Sequence, residues 1–304
     1  MDGIKAFPKI FHIGDGMIPN LFKGEVEITE KMDGSQFAFG VDEDGQIVMR
    51  SHGQELTNTD IPKMFKIAVA QVERMKPTFI EHFRDFYFYC EYLEKPHHNT
   101  LTYSRVPKNN LYLFGVLNVN KFESNKKLKW WAKILEIEPP NILFTGEIKD
   151  PINDIEKFLD ADSILGGTKV EGVVVKNYNE PAFRGSYVLP VSMGKYVSEK
   201  FKEKHNKEWK EGTGKGKLEL LIESFKTEAR WQKAIQHLKD NDELENAPKD
   251  IGKLIKEIQR DLEDEEKEYI KTRLYQIFIG DICRTAKRGF PEYYKKCLLE
   301  GIIK

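Results

Sequence analysis

In Glu30-Lys31-Met32-Asp33-Gly34 a lysine follows a run where Val26 and Ile28 alternate with polar residues, and it precedes an Asp-Gly pair suited to a tight turn. An amine presented at a strand end can act as a nucleophile, and Gly34 lets backbone approach a phosphate with no Cβ in the way. The pattern K-x-D-G arises by accident in about one protein of this size in ten to twenty. A solvated lysine on a hairpin is the plain alternative, so the weight of the motif depends on its company.

That company consists of polar groups set where apolar packing is expected. In the strand-like run from Phe86 to Leu93, Glu91 shares a face with Tyr87 and Tyr89. Burying a carboxylate there costs several kcal/mol unless a partner such as a ligand hydroxyl satisfies it; an edge glutamate meeting solvent or an arginine is the structural alternative. In Glu171-Gly172-Val173-Val174-Val175-Lys176 three valines make a central strand with an acid and a base at its ends. An inward Glu171 can bind Mg²⁺ or a cationic group. Strict alternation puts Glu171 and Lys176 on opposite faces, so both reach one site only where the strand twists or ends. Lys195 and Val197 point the same way on the next predicted strand, and Arg50 ends the strand after the first turn. Basic groups so placed suit phosphate oxygens, although each alone also reads as a surface charge.

These residues need a framework of short strands. Glu25 to Lys31, Phe37 to Val41 and Ile47 to Arg50 read as an antiparallel meander, with Asp42 to Gly45 turning between the last two. Further strands are expected at Phe86 to Leu93, Leu111 to Val119 and Val170 to Lys176, and helices at Ile61 to Arg74 and Asn125 to Leu135. Pro139-Pro140 breaks the chain after the second helix. Beyond Lys210 the pattern becomes helical. Gly212 to Gly216 reads as a hinge; it lacks the G-x-x-x-x-G-K-[ST] phosphate-loop pattern. Ile251, Leu254, Ile255, Ile258 and Leu262 form an amphipathic stripe, Leu218 to Leu238 and Tyr269 to Ile282 carry comparable ones, and a last helix begins near Pro291. The expected fold is α+β: an antiparallel-sheet domain over residues 1–210, a linker at 211–216, and a small all-helical domain over 217–304.

Composition sets outer limits. The chain has 304 residues, 40% hydrophobic and 32% charged, long enough for a substantial core and typical of a soluble protein. With 48 basic and 49 acidic residues no global basic field points to nucleic acid, but the two signs can be segregated onto different faces. No run approaches a membrane span and the start lacks a signal-peptide pattern, so a cytoplasmic protein is expected, in the host cytosol if viral. Cys90, Cys283 and Cys297 are too few and too far apart for a disulfide framework or a metal clip.

Taken in order, the set resembles the covalent nucleotidyltransferase superfamily, and within it the ATP-dependent RNA ligases of the bacteriophage RNA ligase 2 type. The resemblance covers roughly residues 25 to 205. In that pattern Lys31 matches the motif I nucleophile, Glu30 the neighbour whose backbone helps read adenine, and Arg50 the basic residue of motif Ia. Glu91 in Tyr89-Cys90-Glu91-Tyr92-Leu93 matches the ribose-binding acid of motif III, and Phe114 in Leu113-Phe114-Gly115 the purine-stacking aromatic of motif IIIa. Glu171, the metal-binding acid, and Lys176 match motif IV, and Lys195 the first lysine of motif V. Two departures stand out. Ligase 2 relatives usually carry K-x-K in motif V, where this chain has Val197 with only Lys200 or Lys202 nearby; many also have His where this chain has Asp33.

The resemblance implies ATP and Mg²⁺, with Mn²⁺ as a substitute, and a lysyl-AMP intermediate. It implies joining of 3′-hydroxyl and 5′-phosphate RNA ends, in open or nicked RNA-containing duplex form, in RNA repair. A monomer is expected. DNA ligases and capping enzymes normally append an OB barrel, whereas this tail reads as helices, similar to the ligase 2 group; Lys195 to Lys204 resembles that group's K-x-x-x-x-K-F-x-E-K segment. A DNA ligase, and a binding protein that holds nucleotide or RNA ends without chemistry, are the alternatives. Arg284, Lys287 and Arg288 in the tail are candidate duplex contacts.

Overall fold

The computed structural model describes residues 4–42, 44–52, 54–56, 61–83, 86–184, 187–197 and 214–301. In chain order its first part carries β1 (Phe11–His12), β2 (Glu25–Lys31), β3 (Ser35–Val41), β4 (Ile47–Ser51), β5 (Glu55–Leu56), α1 (Lys66–His82), β6 (Phe86–Tyr92), β7 (Leu111–Asn118) and β8 (Lys121–Phe122). Next come α2 (Asn125–Ile134), β9 (Ile142–Glu147), α3 (Pro151–Phe158), β10 (Gly172–Asn177), β11 (Ala182–Arg184), β12 (Tyr187–Leu189) and β13 (Ser192–Val197). The helical part holds α4 (Gly214–Glu223), α5 (Glu228–Asp240), α6 (Ile251–Asp261), α7 (Lys267–Ala286) and α8 (Phe290–Leu299).

The strands form two main sheets, one ordered β1-β13-β10-β2-β9 and the other β5-β4-β3-β6-β7-β8, with β11 and β12 as a separate antiparallel pair. Among the described strands the pairings are antiparallel except that of β1 with β13. The expected α+β class is what the chain adopts. The expected meander is not: β2 pairs with β10 and β9, while β3 and β4 belong to the other sheet. The chain crosses at Met32-Asp33-Gly34 rather than folding back on itself. Asp33 fixes the crossing, because its Oδ2 accepts from the backbone N–H groups of Thr100 and Leu101, both at 2.7 Å, and its own N–H donates to the Tyr103 hydroxyl at 3.0 Å. Gly34 is needed there for space; a Cβ would stand 2.7 Å from Leu93 Cδ1 and 2.9 Å from the Tyr92 carbonyl oxygen.

Alternation along the strands then assigns each face. On the second sheet Phe37, Phe39 and Phe88 pack outward under α1 and α2 with Phe65, Val72 and Trp131, while Ala38 and Tyr89 face inward with Leu117, Val191 and Met193. On the first sheet Val26, Ile28, Val173 and Val175 pack against Ile155 of α3. The opposite face carries the cross-strand rows Glu27–Lys176–Met193, Thr29–Val174–Lys195 and Lys31–Gly172–Val197. The second of these holds polar groups beside a valine, and the third brings the candidate nucleophile into register with the glycine of the triple-valine strand. Gly172 permits that close packing, since a Cβ would lie 2.5 Å from the Tyr196 carbonyl oxygen.

Elsewhere the elements differ from expectation in instructive ways. Ile142 to Glu147 forms β9 and Pro151 to Phe158 forms α3, neither evident from the Pro139-Pro140 break. The stripe from Leu218 to Leu238 is two helices, with the Thr227 side chain capping α5 through the Arg230 N–H. Gly214 to Gly216, expected in the hinge, already belongs to α4, and residues 198–213, including Lys200 and Lys202, lie outside the described residues. The apolar stripe of α6 is only partly covered: Leu254, Ile258 and Leu262 are half-buried, Ile251 and Ile255 stay exposed, and the buried side chain is Glu257, which meets His237 of α5 and Arg260. Among the described residues no helix is long and apolar enough to cross a membrane.

Candidate active site

A cavity opens between the facing sheets. Sheet one contributes Thr29, Lys31, Val174, Lys176 and Lys195; sheet two contributes Gln36, Glu91, Tyr112 and Phe114. Glu30, Met32, Phe7 to Ile10, His52 and Glu265 complete the lining. Of the eight residues singled out above, Glu30, Lys31, Glu91, Phe114, Lys176 and Lys195 therefore line one space.

Glu171 joins them through Lys31. The Lys31 amine donates to both oxygens of its carboxylate, at 2.7 and 2.9 Å. The alternation that would turn Glu171 away from Lys176 does not apply, because β10 starts only at Gly172 and Glu171 lies before its regular pleat. Lys176 shares the cavity face with Val174 and donates to the Phe114 carbonyl oxygen at 2.5 Å. Glu30 faces the other way: its Oε2 accepts from Asn141 Nδ2 at 2.8 Å and from the Ile164 N–H at 3.0 Å, leaving its backbone towards the cavity. That backbone is itself engaged, the N–H with the Asn141 carbonyl oxygen at 3.0 Å and the carbonyl with the Tyr112 hydroxyl at 3.3 Å. Phe114 meets Phe7 edge to face, centroids 4.9 Å apart.

Arg50 is not brought to this space. Its guanidinium donates to the Ile4 carbonyl oxygen at 2.7 Å and to that of Ser51 at 3.3 Å, pinning the N-terminal segment across the sheet. Val197, one residue past Tyr196, sits in the Lys31 row with a half-buried side chain.

The electrostatics of the cavity are unbalanced. Burial alone would depress the Lys31 amine, but Glu171, Asp33 and Glu91 hold it above its ordinary value. Burial pushes Glu171 up, against the opposing effect of Lys31 and with the help of Asp33. Glu91 is pushed up to about 8 by burial, and Lys176 down to about 8 by the same cause. One amine thus stands among three carboxylates, an arrangement that favours arrival of another cation. Among the described residues no three acids or histidines are grouped tightly enough to hold a metal alone. A hard divalent ion that takes one protein carboxylate and completes its shell from phosphate and water fits this donor set.

Sequence reasoning missed Gln36, His52, Lys9 and Glu265. Gln36 carried a usable signal, a polar residue inside the apolar run Ser35–Val41, and it pairs in register with Glu91. His52 Nδ1 lies 3.0 Å from Gln36 Oε1. Lys9 and Glu265 reach the cavity from distant segments and carry no local pattern.

A family model described as RNA ligase matches residues 24–197. No curated protein matches the chain. Among solved structures, a mutant Naegleria gruberi RNA ligase in apo form is similar at 18% identity and a TM-score of 0.49, covering 67% of this chain and 58% of that one. The same ligase with PPi matches at 18% identity and a TM-score of 0.48, covering 68% and 61%. A mutant of it with ATP and Mn matches at 17% and 0.48, covering 64% and 56%. The matches span less than two thirds of these ligases' own length.

Proposed function

The chain belongs to the RNA ligase family, and from that premise we propose that it is an ATP-dependent RNA ligase working through a lysyl-AMP intermediate, with the adenylyltransferase unit in residues 1–210 and a helical unit that starts with α4 at Gly214. The observation that carries the reading is the Lys31 amine at the seam of the two sheets, bonded to Glu171 and sharing one cavity with Glu91, Phe114, Lys176 and Lys195.

In the first step the Lys31 nitrogen attacks the α-phosphorus of ATP, a nitrogen–phosphorus bond forms, and the bond to the β-phosphate oxygen breaks to release pyrophosphate. The amine must first lose its proton. From an ordinary pKa of about 10.4, roughly one lysine in a thousand is neutral at pH 7.4, about 4 kcal/mol of barrier. The contact with Glu171 adds to that cost in the resting protein, yet it also supplies the acceptor: a carboxylate 2.7 Å away whose own pKa is raised by burial. Lys176 and Lys195 hold phosphate oxygens; Glu91 accepts from a ribose hydroxyl; Phe114 packs against the purine. Glu171 is also the residue that would hold Mg²⁺ or Mn²⁺, which when bound neutralises charge on the phosphates and the leaving pyrophosphate.

In the second step an oxygen of an RNA 5′-phosphate attacks the adenylate phosphorus and Lys31 is released. In the third an RNA 3′-hydroxyl attacks the activated 5′-phosphate and AMP departs, sealing the ends, a reaction suited to RNA repair. The rows that define the cavity face are sheet residues, so Lys31, Lys176 and Lys195 are held on strands rather than on loops.

The test is direct. Incubated with ATP and Mg²⁺, the protein should gain the mass of one AMP, and Lys31→Ala should lose at least about a thousandfold in labelling. A Lys31→Ala protein labelled at the original level would remove the assignment. Parallel joining of nicks with RNA and DNA 3′-hydroxyl strands decides between RNA and DNA ligase activity.

A further inference from the structure

Lys9 belongs to no motif named above and precedes the segment matched by the family model, yet it lines the same cavity as Lys31, Lys176 and Lys195. Its Nζ donates to the backbone carbonyl oxygens of Asp264 at 2.6 Å and Glu265 at 3.2 Å. The Glu265 carboxylate, also in the cavity lining, lies 3.0 Å from the Lys195 amine. Both acceptors come from one stretch, Leu262–Glu266, a wide helical turn joining α6 to α7. An anionic oxygen and two carbonyl oxygens thus sit on two ammonium groups at one end of the cavity. This is the arrangement that phosphate oxygens would take on the same amines.

We propose that Lys9 is a further polyphosphate-binding residue of this site and that Glu265 is its built-in competitor, so that the helical region fills the Lys9–Lys195 subsite until ATP displaces it. The inference rests on the reading of the cavity as an ATP site. An ammonium group has three donors and can serve more than one acceptor, but a phosphate brought beside Glu265 places like charges a few ångströms apart. Retention of the carboxylate and binding of the triphosphate therefore oppose each other. The strength of the hold shows in the acid itself: burial would push the Glu265 carboxyl up, whereas Lys195 first, then Lys233 and Lys9, bring it down to about 2.

The experiment measures adenylylation of Lys31 as a function of ATP concentration, by intact mass, on protein first stripped of any retained AMP with pyrophosphate and Mg²⁺. Glu265→Gln keeps the shape of the side chain and removes its charge. The half-saturating ATP concentration should fall about three- to tenfold. Placing Lys9→Met in the Glu265→Gln background removes the amine after the competitor is gone, and half-saturation should then rise about tenfold relative to Glu265→Gln alone. Inorganic triphosphate, used as a competitor of labelling, should inhibit Glu265→Gln at correspondingly lower concentrations than the original protein. A Glu265→Gln protein with unchanged or weaker ATP dependence, whether or not its melting temperature drops, overturns the proposal and leaves these contacts as docking only. An original protein that never takes up AMP overturns the ATP reading itself, and this inference with it.

Discussion

Glu91 and Glu265 face one cavity from different parts of the chain, and the protein treats them oppositely. Burial works against ionisation of both. At Glu91, on the sheet side, Lys31 offsets burial only in part, Glu171 and Asp33 add to it, and the carboxyl is pushed up to about 8. At Glu265, on the helical side, Lys195, Lys233 and Lys9 overwhelm burial and bring it to about 2. The sheets are short of positive charge where chemistry is proposed, and the helical contact is well supplied with it. An under-compensated cluster is poised to take a cation or give up a proton, whereas a fully compensated one holds two surfaces together.

The largest expected break in this contrast is at Glu171. Glu171→Gln leaves the shape and relieves the excess of negative charge, so adenylylation should fall by about a hundredfold or more. The Lys31 amine should also titrate lower, because the carboxylate that holds it up is gone. Mass spectrometry of Lys31 acetylation across pH reads the second effect. Loss of stability without loss of labelling would return Glu171 to a structural part.

Next comes the crossing between sheets. Gly34→Ala puts a methyl group 2.7 Å from Leu93 Cδ1 and should destabilise the fold by about 1–3 kcal/mol in urea unfolding. An unchanged midpoint would mean that the crossing yields more easily than its contacts suggest.

The smallest effect tests the helical side. Asp240 of α5 accepts from the Ser35 hydroxyl at 3.0 Å and from Gln236, and burial raises its carboxyl from 3.8 to about 6. The folded protein therefore holds this proton more tightly than the unfolded chain. Its contribution to stability is full below about pH 4 and is lost as pH rises through about 6, an effect on the order of 2 kcal/mol. Asp240→Asn should abolish that slope between pH 4.5 and 7. An identical slope in both proteins would assign it to another group.

Much of the sheet side was legible in the chain itself. The alternation in Glu25–Lys31, the three valines after Gly172 and the lone acid in Phe86–Tyr92 are local patterns, and each marks a strand that the fold contains, with Glu171 just ahead of its own. What could not be read is how strands are shared between sheets. Nothing in Met32-Asp33-Gly34 distinguishes a hairpin from a crossing, because Asp33 is anchored by N–H groups nearly seventy positions away. Arg50 shows the same limit, since the carbonyl that claims its guanidinium belongs to Ile4. On the helical side periodicity found helices but not their partners: Ile251 and Ile255 satisfy the apolar pattern and remain exposed, and Glu265, in an acidic run, ends beside Lys195.

The Lys31–Gly172–Val197 row carries a consequence for where negative ligand charge can rest. Its first rung is an amine, its second has no side chain, and its third is hydrocarbon. A phosphate advancing along that rung leaves Lys31 and meets no further cation from it. Along the sheet face the neutralising burden shifts to Lys195 beside Val174 and to Lys176 in the row beyond it, and the loss of Lys195 would leave β13 without a charged group on this surface.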